Sequence, residues 1–217
     1  METQAFIEEL ESLKAARVAT IVEAGRTSLA GVASVDGKKL LQIALANEIS
    51  VSELAAEWTP TTPEVDVKIA FARQAGDEAG HFLLVAGRLA ALGFDVESFR
   101  APRENPLFQY LKGLATTVER VAAGLFTLEA IALGVNENFM AYCERQGDLE
   151  TVRIYREAIQ PDERTHHEIG TRLLRKYATT PELQSAARAA VEGVLNIATS
   201  ARADGAMKLG TACFPGC

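Results

Sequence analysis

The pattern Asp-Glu-x-x-His occurs twice in this chain, and it constrains the fold more than any other feature of the sequence. One copy is 77–81 and the other is 162–166. Residues three apart on a helix lie about one turn apart and point the same way, so the Glu and the His of each copy can hold one metal ion. The chain contains only three histidines, and two of them lie in these copies. The repeat therefore predicts two helices that present matching ligand pairs.

Two further acids interrupt otherwise apolar stretches, Glu48 in IALANEISV and Glu129 in GLFTLEAIALG. Burying an unpaired carboxylate is costly, so acids in such positions usually have a compensating partner. Glu53 and Glu137 are the alternatives, but each has more polar neighbours. We therefore select Glu48 and Glu129 as the remaining ligands.

Composition and chain breakers predict an all-α fold. Apolar residues make up 48% of the 217 residues, and glycine, proline and aromatic residues are sparse enough to favour long helices. A chain of this length needs no second domain, so we expect one, 1–217. The predicted segments are an accessory helix 3–18, a break at 25–37, bundle helices 36–58, 64–92, 107–146 and 148–178, a C-terminal helix 181–205, and an irregular tail 210–217.

The connections indicate how the bundle is wired. Asp36 is the expected N-cap of the first bundle helix, residues 59–63 with two prolines form a turn, and Gly147-Asp148 forms a short turn between the last two bundle helices. By contrast, the polar connection 93–106 could span ~45 Å at ~3.3 Å per residue. The prediction is one antiparallel pair, a crossover along the bundle and a second antiparallel pair.

The spacing of the acids from the two turns provides an independent check. Glu48 and Glu78 lie about ten and fifteen residues from the first turn, and Glu129 and Glu163 about seventeen and fifteen from the second, at 1.5 Å per helical residue. Each pair thus reaches nearly the same depth. All four acids can meet in one layer of the bundle.

One Glu per helix with two Glu-x-x-His motifs resembles the ferritin-like di-iron carboxylate superfamily, over roughly residues 36–178. The resemblance implies a ferritin-like four-helix bundle whose metal ligands are Glu48, Glu78, His81, Glu129, Glu163 and His166. Within that set Glu48 and His81 would serve one metal, Glu129 and His166 the other, and Glu78 and Glu163 would bridge both.

The resemblance also assigns a role to the Asp that precedes each motif Glu. In the oxygenase members of the superfamily an acid at this place supports a ligand, so Asp77 would hold His166 and Asp162 would hold His81 across the bundle. Such an acid sets the tautomer and the orientation of the imidazole.

Charge and ligand type indicate the cofactor. Four carboxylates neutralise two divalent cations, and a mixed carboxylate and imidazole set suits iron or manganese better than structural zinc. No CxxC pair occurs, which excludes a zinc knuckle or a rubredoxin-like iron site. We expect two Fe ions, with two Mn ions or one of each as the alternatives.

The resemblance implies an enzyme that uses O2. The leading hypothesis is a di-iron oxygenase or oxidase acting on a small organic or acyl-type substrate with a separate electron donor, similar to fatty-aldehyde deformylating oxygenases and other small di-iron oxygenases. The runner-up is a ferroxidase or peroxidase of the rubrerythrin or ferritin type, which handles iron and peroxide without an organic substrate. A third hypothesis is a non-catalytic helical scaffold clamped by metal.

Small residues surround the expected ligands and call for a reason, because a glycine inside a helix costs about 1 kcal/mol relative to alanine. Two explanations compete: close helix approach, or an apolar substrate cavity beside the metals. The residues are Ala75, Gly76, Ala79, Gly80, Ala122, Ala123, Gly124, Ala130 and Ala132.

Six other side chains have candidate roles. Tyr155 and Arg156 are placed on or near the metal-facing side of the last bundle helix, with core packing the simpler role for Tyr155. His167 is about 100° around the helix from His166, which favours an exposed histidine or one that supports a ligand. Cys143 is expected to be a small core residue. Cys213 and Cys217 could close a small loop, but two free thiols are expected in a reducing compartment.

The net charge of −7 argues against a nucleic-acid or anionic-membrane partner. No basic, apolar leader opens the sequence, and no run is long and apolar enough to span a bilayer. We therefore expect a cytoplasmic protein, with exposed helical faces that favour a homodimer.

Overall fold

Helices form the regular structure of the chain in the computed structural model, which describes residues 2–30, 36–102 and 105–216. No strand occurs in those residues, so the predicted all-α class is confirmed. Two π-helical segments and one 3-10 turn, Val96–Ser98, accompany the α-helices. The α-helices are α1 Thr3–Ala30, α2 Gly37–Thr61, α3 Val65–Ala91, α4 Pro106–Lys112, α5 Thr117–Val121, α6 Glu129–Gln146, α7 Leu149–Ile154, α8 Gln160–Tyr177 and α9 Pro181–Leu209.

The helix ends form where short polar residues and glycine predict them. The Asp36 carboxylate accepts a hydrogen bond from the Lys38 amide at 2.9 Å and caps α2. At the predicted turn 147–148, Gly147 adopts a φ of 76° and ends α6, and the Asp148 carboxylate accepts from the Thr151 amide to start α7. Local capping therefore sets the start of α2 and this turn.

Contacts at the two ends of the bundle establish its topology. Arg88 near the end of α3 pairs with Asp148 at the start of α7, 2.7 Å apart. At the opposite end, the hydroxyl of Tyr177, the last residue of α8, donates to Asp66 at the start of α3 at 2.6 Å. The path from α7 to α8 therefore runs antiparallel to α3.

The connection after α3 returns along the bundle, as predicted. Arg120 in α5 donates to the hydroxyl of Thr61, the last residue of α2, at 2.9 Å. Thus α5 begins at the end where α2 finishes and α3 starts, whereas α3 finishes at the other end. The described part of the connection, 92–102 and 105, covers that length together with α4, which gives the two antiparallel pairs joined by a crossover that the loop lengths indicated.

The single third bundle helix predicted at 107–146 is wrong, because the chain breaks after Lys112 and restarts at Thr117. The restart is a capping box: the Thr116 hydroxyl accepts from the Glu119 amide, and the Glu119 carboxylate accepts from the Thr116 amide. This Thr-x-x-Glu pattern is a known helix-start signal and was available in the sequence.

Two helices pass through expected breaks. α2 continues through Pro60 and ends one residue later at Thr61. α1 continues past residue 18 and through Gly25 to Ala30, because it packs along α6 instead of ending. A Cβ at Gly134 would lie 2.4 Å from Val22. These glycines serve helix packing, and residues 31–35 of the predicted break lie outside the described residues.

The core fills the space between the four bundle helices and the two covering helices, α1 and α9. Helix α9 extends four residues past its predicted end, and residues 210–216 have no regular structure, as predicted. That tail is nevertheless largely buried: Cys213 has no exposed surface. Within the described residues, no helix has an apolar stretch long enough to cross a bilayer.

Apolar side chains remain exposed on α3. Val65, Ile69 and Leu83 keep 68%, 65% and 69% of their surface exposed. Exposed helical faces of this kind were the reason for expecting a homodimer, and the homodimer stays a prediction.

Candidate metal centre

The six predicted ligands meet inside the bundle. α2 contributes Glu48, α3 contributes Glu78 and His81, α6 contributes Glu129, and α8 contributes Glu163 and His166. All four carboxylates are fully buried, and the two histidines are exposed by 2% or less. Acids from four separate stretches of sequence therefore share one layer, as their spacing indicated.

Ligand atoms fall into two groups that share two carboxylates. One group is Glu48, Glu78, His81 and Glu163, and the other is Glu78, Glu129, Glu163 and His166; within each group the ligand atoms lie within 4.8 Å of one another. This division has the pairing that the resemblance implies, with Glu78 and Glu163 common to both groups.

Both imidazoles turn Nδ1 toward the shared carboxylates. Nδ1 of His81 lies 3.2 Å from Glu78 and 3.6 Å from Glu48. Nδ1 of His166 lies 3.4 Å from Glu78 and 3.5 Å from Glu129. Each imidazole thus contacts the shared Glu78 and the acid that belongs to its own group.

Acids on the facing helix hold the other nitrogen of each ring. Nε2 of His81 lies 3.3 Å from Asp162, and Nε2 of His166 lies 3.0 Å from Asp77. A carboxylate at Nε2 favours the tautomer that keeps the proton there and leaves the Nδ1 lone pair for a cation. The crossed pairing of Asp77 and Asp162 is the one that the resemblance implies.

The buried charges shift the proton equilibria of the centre. Burial disfavours the imidazolium form of His81 and His166, but the neighbouring carboxylates outweigh it and raise both pKa values to about 11. Burial raises the pKa of Glu48 to about 8 and that of Glu163 well above its ordinary value. Glu78 is the exception, since contacts with the two histidines hold its pKa low against burial. Without a cation the centre therefore retains protons that a metal would displace.

The donor atoms fit a pair of divalent cations. Among the described residues, both oxygens of Glu48, Oε1 of Glu78 and Nδ1 of His166 have no hydrogen-bond partner although they are buried. Such unsatisfied buried groups are rare, and a cation would supply the missing partner. An oxygen and nitrogen donor set without thiolate suits iron or manganese. That these side chains hold metal stays a prediction.

Gln74 contacts the ligand Glu129, and the sequence analysis did not predict this contact. This buried residue lies one turn before Glu78 on α3, and its amide donates to Oε1 of Glu129. The position four residues before a predicted ligand was the available signal, because residues four apart share a helix face.

Two π-helical segments adjoin the ligands Glu129 and Glu163. Ala122–Leu128 ends directly before Glu129, and Tyr155–Ile159 lies one turn before Glu163. The Thr127 hydroxyl donates to the carbonyl of Ala122, five residues back, at 2.7 Å. A π turn inserts an extra residue and redirects the side chains that follow, and such turns recur at functional sites. Nothing in the sequence indicated them.

Lys14 of α1 contacts the first π segment, Ala122–Leu128. Its Nζ donates to the carbonyl of Phe126 at 3.2 Å, lies 2.6 Å from His167 and 2.8 Å from Glu11. Burial lowers the pKa of Lys14 to about 8 in spite of Glu11. His167 is partly buried and stacks on the Phe126 ring, so it belongs to this contact and lies outside the two ligand groups.

Tyr155 and Arg156 are neighbours in sequence, but the first is buried and the second is exposed. Tyr155 is fully buried, packs edge-on against Phe139 at 5.2 Å, and its hydroxyl has no hydrogen-bond partner among the described residues. Burial, then the charges of the nearby acids, raises its pKa well above 10. The placement of Arg156 beside the metals is wrong, because its side chain is exposed and pairs with Glu144 at 2.8 Å.

The rejected acids and the cysteines lie away from the ligand groups. Glu53 and Glu137 are exposed, which supports the choice of Glu48 and Glu129. Cys143 and Cys213 are buried, form no disulfide with a described residue, and have pKa values raised to about 12 by burial. Cys217 lies outside the described residues.

Neither explanation offered for the small residues applies to Gly76 and Gly80. An added Cβ at either would meet nothing within 4 Å, so they are not needed for close helix approach. Close approach does apply to Gly124, where a Cβ would lie 2.9 Å from the Trp58 ring, and it also occurs at Gly170 of α8, where a Cβ would lie 2.6 Å from the Leu125 backbone. A cavity does exist, but of the nine small residues only Ala132 lines it.

The comparisons with known proteins identify a family and a fold. The model of the family described as "Protein of unknown function (DUF455)" matches residues 40–195. A crystal structure from Shewanella denitrificans OS217, titled a domain of unknown function with a heme oxygenase-like fold, is 16% identical with a TM-score of 0.68. The match covers 94% of this chain and 95% of that one. No curated protein matched. The chain thus shares an all-α fold described as heme oxygenase-like.

Proposed function

Since the chain belongs to the DUF455 family, whose description names no activity, we propose from the site that it is a di-metal, most simply di-iron, oxidoreductase that uses O2 to oxidise a small organic substrate. One observation carries the proposal: four buried carboxylates and two imidazoles form two ligand groups with two carboxylates in common.

Charge supports two cations over one. Four ionised carboxylates carry four negative charges, which two divalent cations balance, while a single cation would leave a buried excess. Bound ferrous ions would supply electrons for the reduction of O2. The side chains themselves would fix the geometry: Asp77 and Asp162 orient the imidazoles, and Gln74 orients Glu129.

The surroundings support chemistry on an organic molecule. Leu45 of α2, and Phe126 and Ile159 of the two π segments, are fully buried, so water has little access to the layer. A cavity of about 890 Å³ lies on the Glu48 side of the centre, a volume in the range of organic-ligand sites. A ferroxidase would need no such cavity.

The fold likeness supports no haem chemistry for this chain. Haem iron in proteins is held by His, Cys, Met or Tyr. The described lining of the large cavity contains none of these residues. His81 and His166 are instead enclosed with carboxylates.

Iron loading followed by O2 uptake tests the proposal. The protein, reconstituted with Fe(II) without oxygen, is expected to hold about two irons per chain, the ratio of di-iron carboxylate bundles. The double variant E78Q/E163Q, which lacks both shared carboxylates, should hold neither, and the exposed-acid double variant E53Q/E137Q is the matched control. Elemental analysis gives the content.

Oxygen uptake separates the candidate functions. Acceleration of O2 consumption by an organic compound supports the proposed activity. Iron mineralisation or peroxide turnover alone would support the ferroxidase or peroxidase. Absence of transition metal from iron-supplied protein would overturn both.

A further inference from the structure

A cavity lies between α2, the crossover connection, α6, α9 and the C-terminal tail. Its volume is about 890 Å³ and its walls are mainly apolar, formed by side chains such as Leu40, Phe99 and Phe214. Cavities of this size and character hold small organic molecules in other proteins, where a few polar groups set the orientation. The polar groups of this cavity therefore indicate what it binds.

Arg202 is the polar group that stands out in the lining. It belongs to α9 and keeps only 9% of its surface exposed. Its Nη1 donates to the Ala198 carbonyl at 3.2 Å, its guanidinium faces the Phe214 ring at 5.7 Å, and its Nε has no hydrogen-bond partner among the described residues. No described carboxylate forms an ion pair with it. A buried charge is costly unless it is paired, so an anion bound in the cavity would supply the counter-ion that the described residues do not.

Arg202 remains a cation in spite of its burial. Burial lowers its pKa to about 10, which still leaves it charged at neutral pH. Around the described lining, Lys39 and Arg100 add positive charge, and the only acid is Asp36, whose carboxylate already caps α2. In a chain of net charge −7 this local excess of cations favours an anionic ligand.

The tail places the cavity against the metal centre. Gly216 lines the cavity, and its amide donates to the Asn136 side chain at 2.9 Å. A Cβ at Gly216 would lie 3.0 Å from Oε1 of Glu48, so this residue of the cavity wall packs against that carboxylate. The side chain of Asn47, next to Glu48, donates to the Pro215 carbonyl and also lines the cavity.

We propose that this cavity binds an organic acid, with its carboxylate on Arg202 and its apolar chain along the walls toward Glu48, and that such an acid is the substrate class of the metal centre. The second half rests on the proposed function. A carboxylate fits better than a phosphate ester, because one guanidinium matches one carboxylate in charge and in its planar, two-point geometry.

Binding to metal-free protein tests the site without reference to iron. Calorimetric titration of the chelator-treated chain with butanoate, octanoate and dodecanoate should show affinity that rises with chain length, as apolar area is buried. 1-Octanol and octyl phosphate should bind more weakly than octanoate. Equal binding of the alcohol, or tighter binding of the phosphate, would overturn the assignment of a carboxylate.

Substitution of the arginine tests the contact itself. R202M is expected to weaken octanoate binding about 10- to 100-fold, the value of a charge-assisted hydrogen bond. The unliganded R202M protein should melt no lower than the wild type, because an unpaired buried charge has been removed. R188M is the matched control: Arg188 lies on the same helix but pairs with Glu9 at 2.8 Å, and its loss should leave octanoate affinity unchanged.

A second variant covers the case in which R202M does not fold. R202K keeps the charge but loses the planar fork, and should bind octanoate about tenfold more weakly. Wild-type affinity in both R202K and R202M would overturn the proposal.

Failure of the inference and failure of the proposed function give different results. If the protein binds about two irons but has no affinity for carboxylates, the carboxylate site is overturned and the proposed metal centre still stands. Carboxylate affinity without iron binding supports the site at Arg202 and overturns the oxidoreductase.

Discussion

The hairpin of α2 and α3 and the hairpin that runs from α5 to α8 contribute three ligands each, but their backbones differ. In the first hairpin Glu48, Glu78 and His81 project from uninterrupted α-helices. In the second, π segments stand directly before Glu129 and one turn before Glu163. The two halves therefore reach matching ligand positions by different backbone routes.

This difference shows what a repeated motif does and does not specify. Asp-Glu-x-x-His sets the spacing of ligands along a helix, but it does not set the rotation of that helix toward the centre. The second hairpin adjusts that rotation with the extra residues of its π segments. In the first π segment, side chains donate hydrogen bonds to backbone carbonyls: the Thr127 hydroxyl donates to the Ala122 carbonyl, and the Lys14 ammonium donates to the Phe126 carbonyl. Its geometry therefore depends on α1.

The largest expected effect comes from removing the unshared carboxylate of either half. E48Q and E129Q should each hold about one iron per chain instead of about two, because each variant leaves one ligand group complete. Elemental analysis after anaerobic loading measures this, with E53Q on α2 and E137Q on α6 as controls on the same helices. Full iron content in E48Q would contradict the assignment of Glu48.

The next largest effect is a difference in stability between glycine substitutions in the two hairpins. G170A places a methyl group against the backbone of the first π segment and should lower the free energy of unfolding by about 3 kcal/mol. G76A meets nothing and should raise it by up to about 1 kcal/mol, since alanine favours the helix. Urea denaturation of the metal-free protein gives both values. A stable G170A protein would show that the π segment yields easily.

The supporting acids should have a smaller, crossed effect. D77N and D162N are each expected to weaken metal affinity about 10- to 100-fold, because the imidazole loses the acid that orients it. D162N should affect the metal held with His81, and D77N the metal held with His166. Competition with a calibrated chelator measures the affinities. If D66N, a control acid on α3 outside the centre, weakened metal binding equally, a specific role for the two acids would be excluded.

The smallest effect concerns pH. The folded pKa values of Glu48 and of both histidines are raised, to about 8 and about 11, above their ordinary values of 4.5 and 6.5. Their contribution to stability is therefore fully present below the ordinary values and is lost as pH rises through the raised ones. The pKa of Glu78 is lowered, so this residue changes the stability only below pH 4.5 and does not oppose the trend at higher pH.

The metal-free protein should accordingly melt at lower temperature as pH rises from 6 to 9. Metal binding displaces the protons, so the loaded protein should show a flatter profile. Thermal denaturation with and without a chelator measures the two curves, and E48Q should flatten the metal-free one. If the melting temperature of the metal-free protein rose from pH 6 to 9, the buried titratable groups would not be the cause of its pH dependence.

Several features of the fold were available in local sequence, and others were not. Asp36 starts α2, Gly147 ends α6 and Asp148 starts α7 where predicted, because a cap forms among neighbouring residues. The capping box at Thr116 was visible too, although the apolar pattern around it suggested one long helix. The extension of α1 through Gly25 could not be predicted, since it depends on the packing of α1 along α6.

The same division holds for the candidate site. Two repeated motifs and two acids in apolar surroundings were enough to select six residues that meet in the interior, because helical spacing and the cost of a buried charge are properties of the sequence itself. Gln74, Lys14 and Arg202 were not selected. Each matters through a neighbour far away in the chain, and polar residues on a helix are ordinarily solvated.

The sequence alone determined that this chain is helical, where most of its turns fall and which acids and histidines share a level, because those properties follow from local hydrogen bonding and helical period. Only the tertiary structure decided that the second hairpin contains π turns, that the tail packs against Glu48, and that Arg202 faces a cavity with no counter-ion among the described residues. Those features arise from packing between distant segments, which no local pattern records.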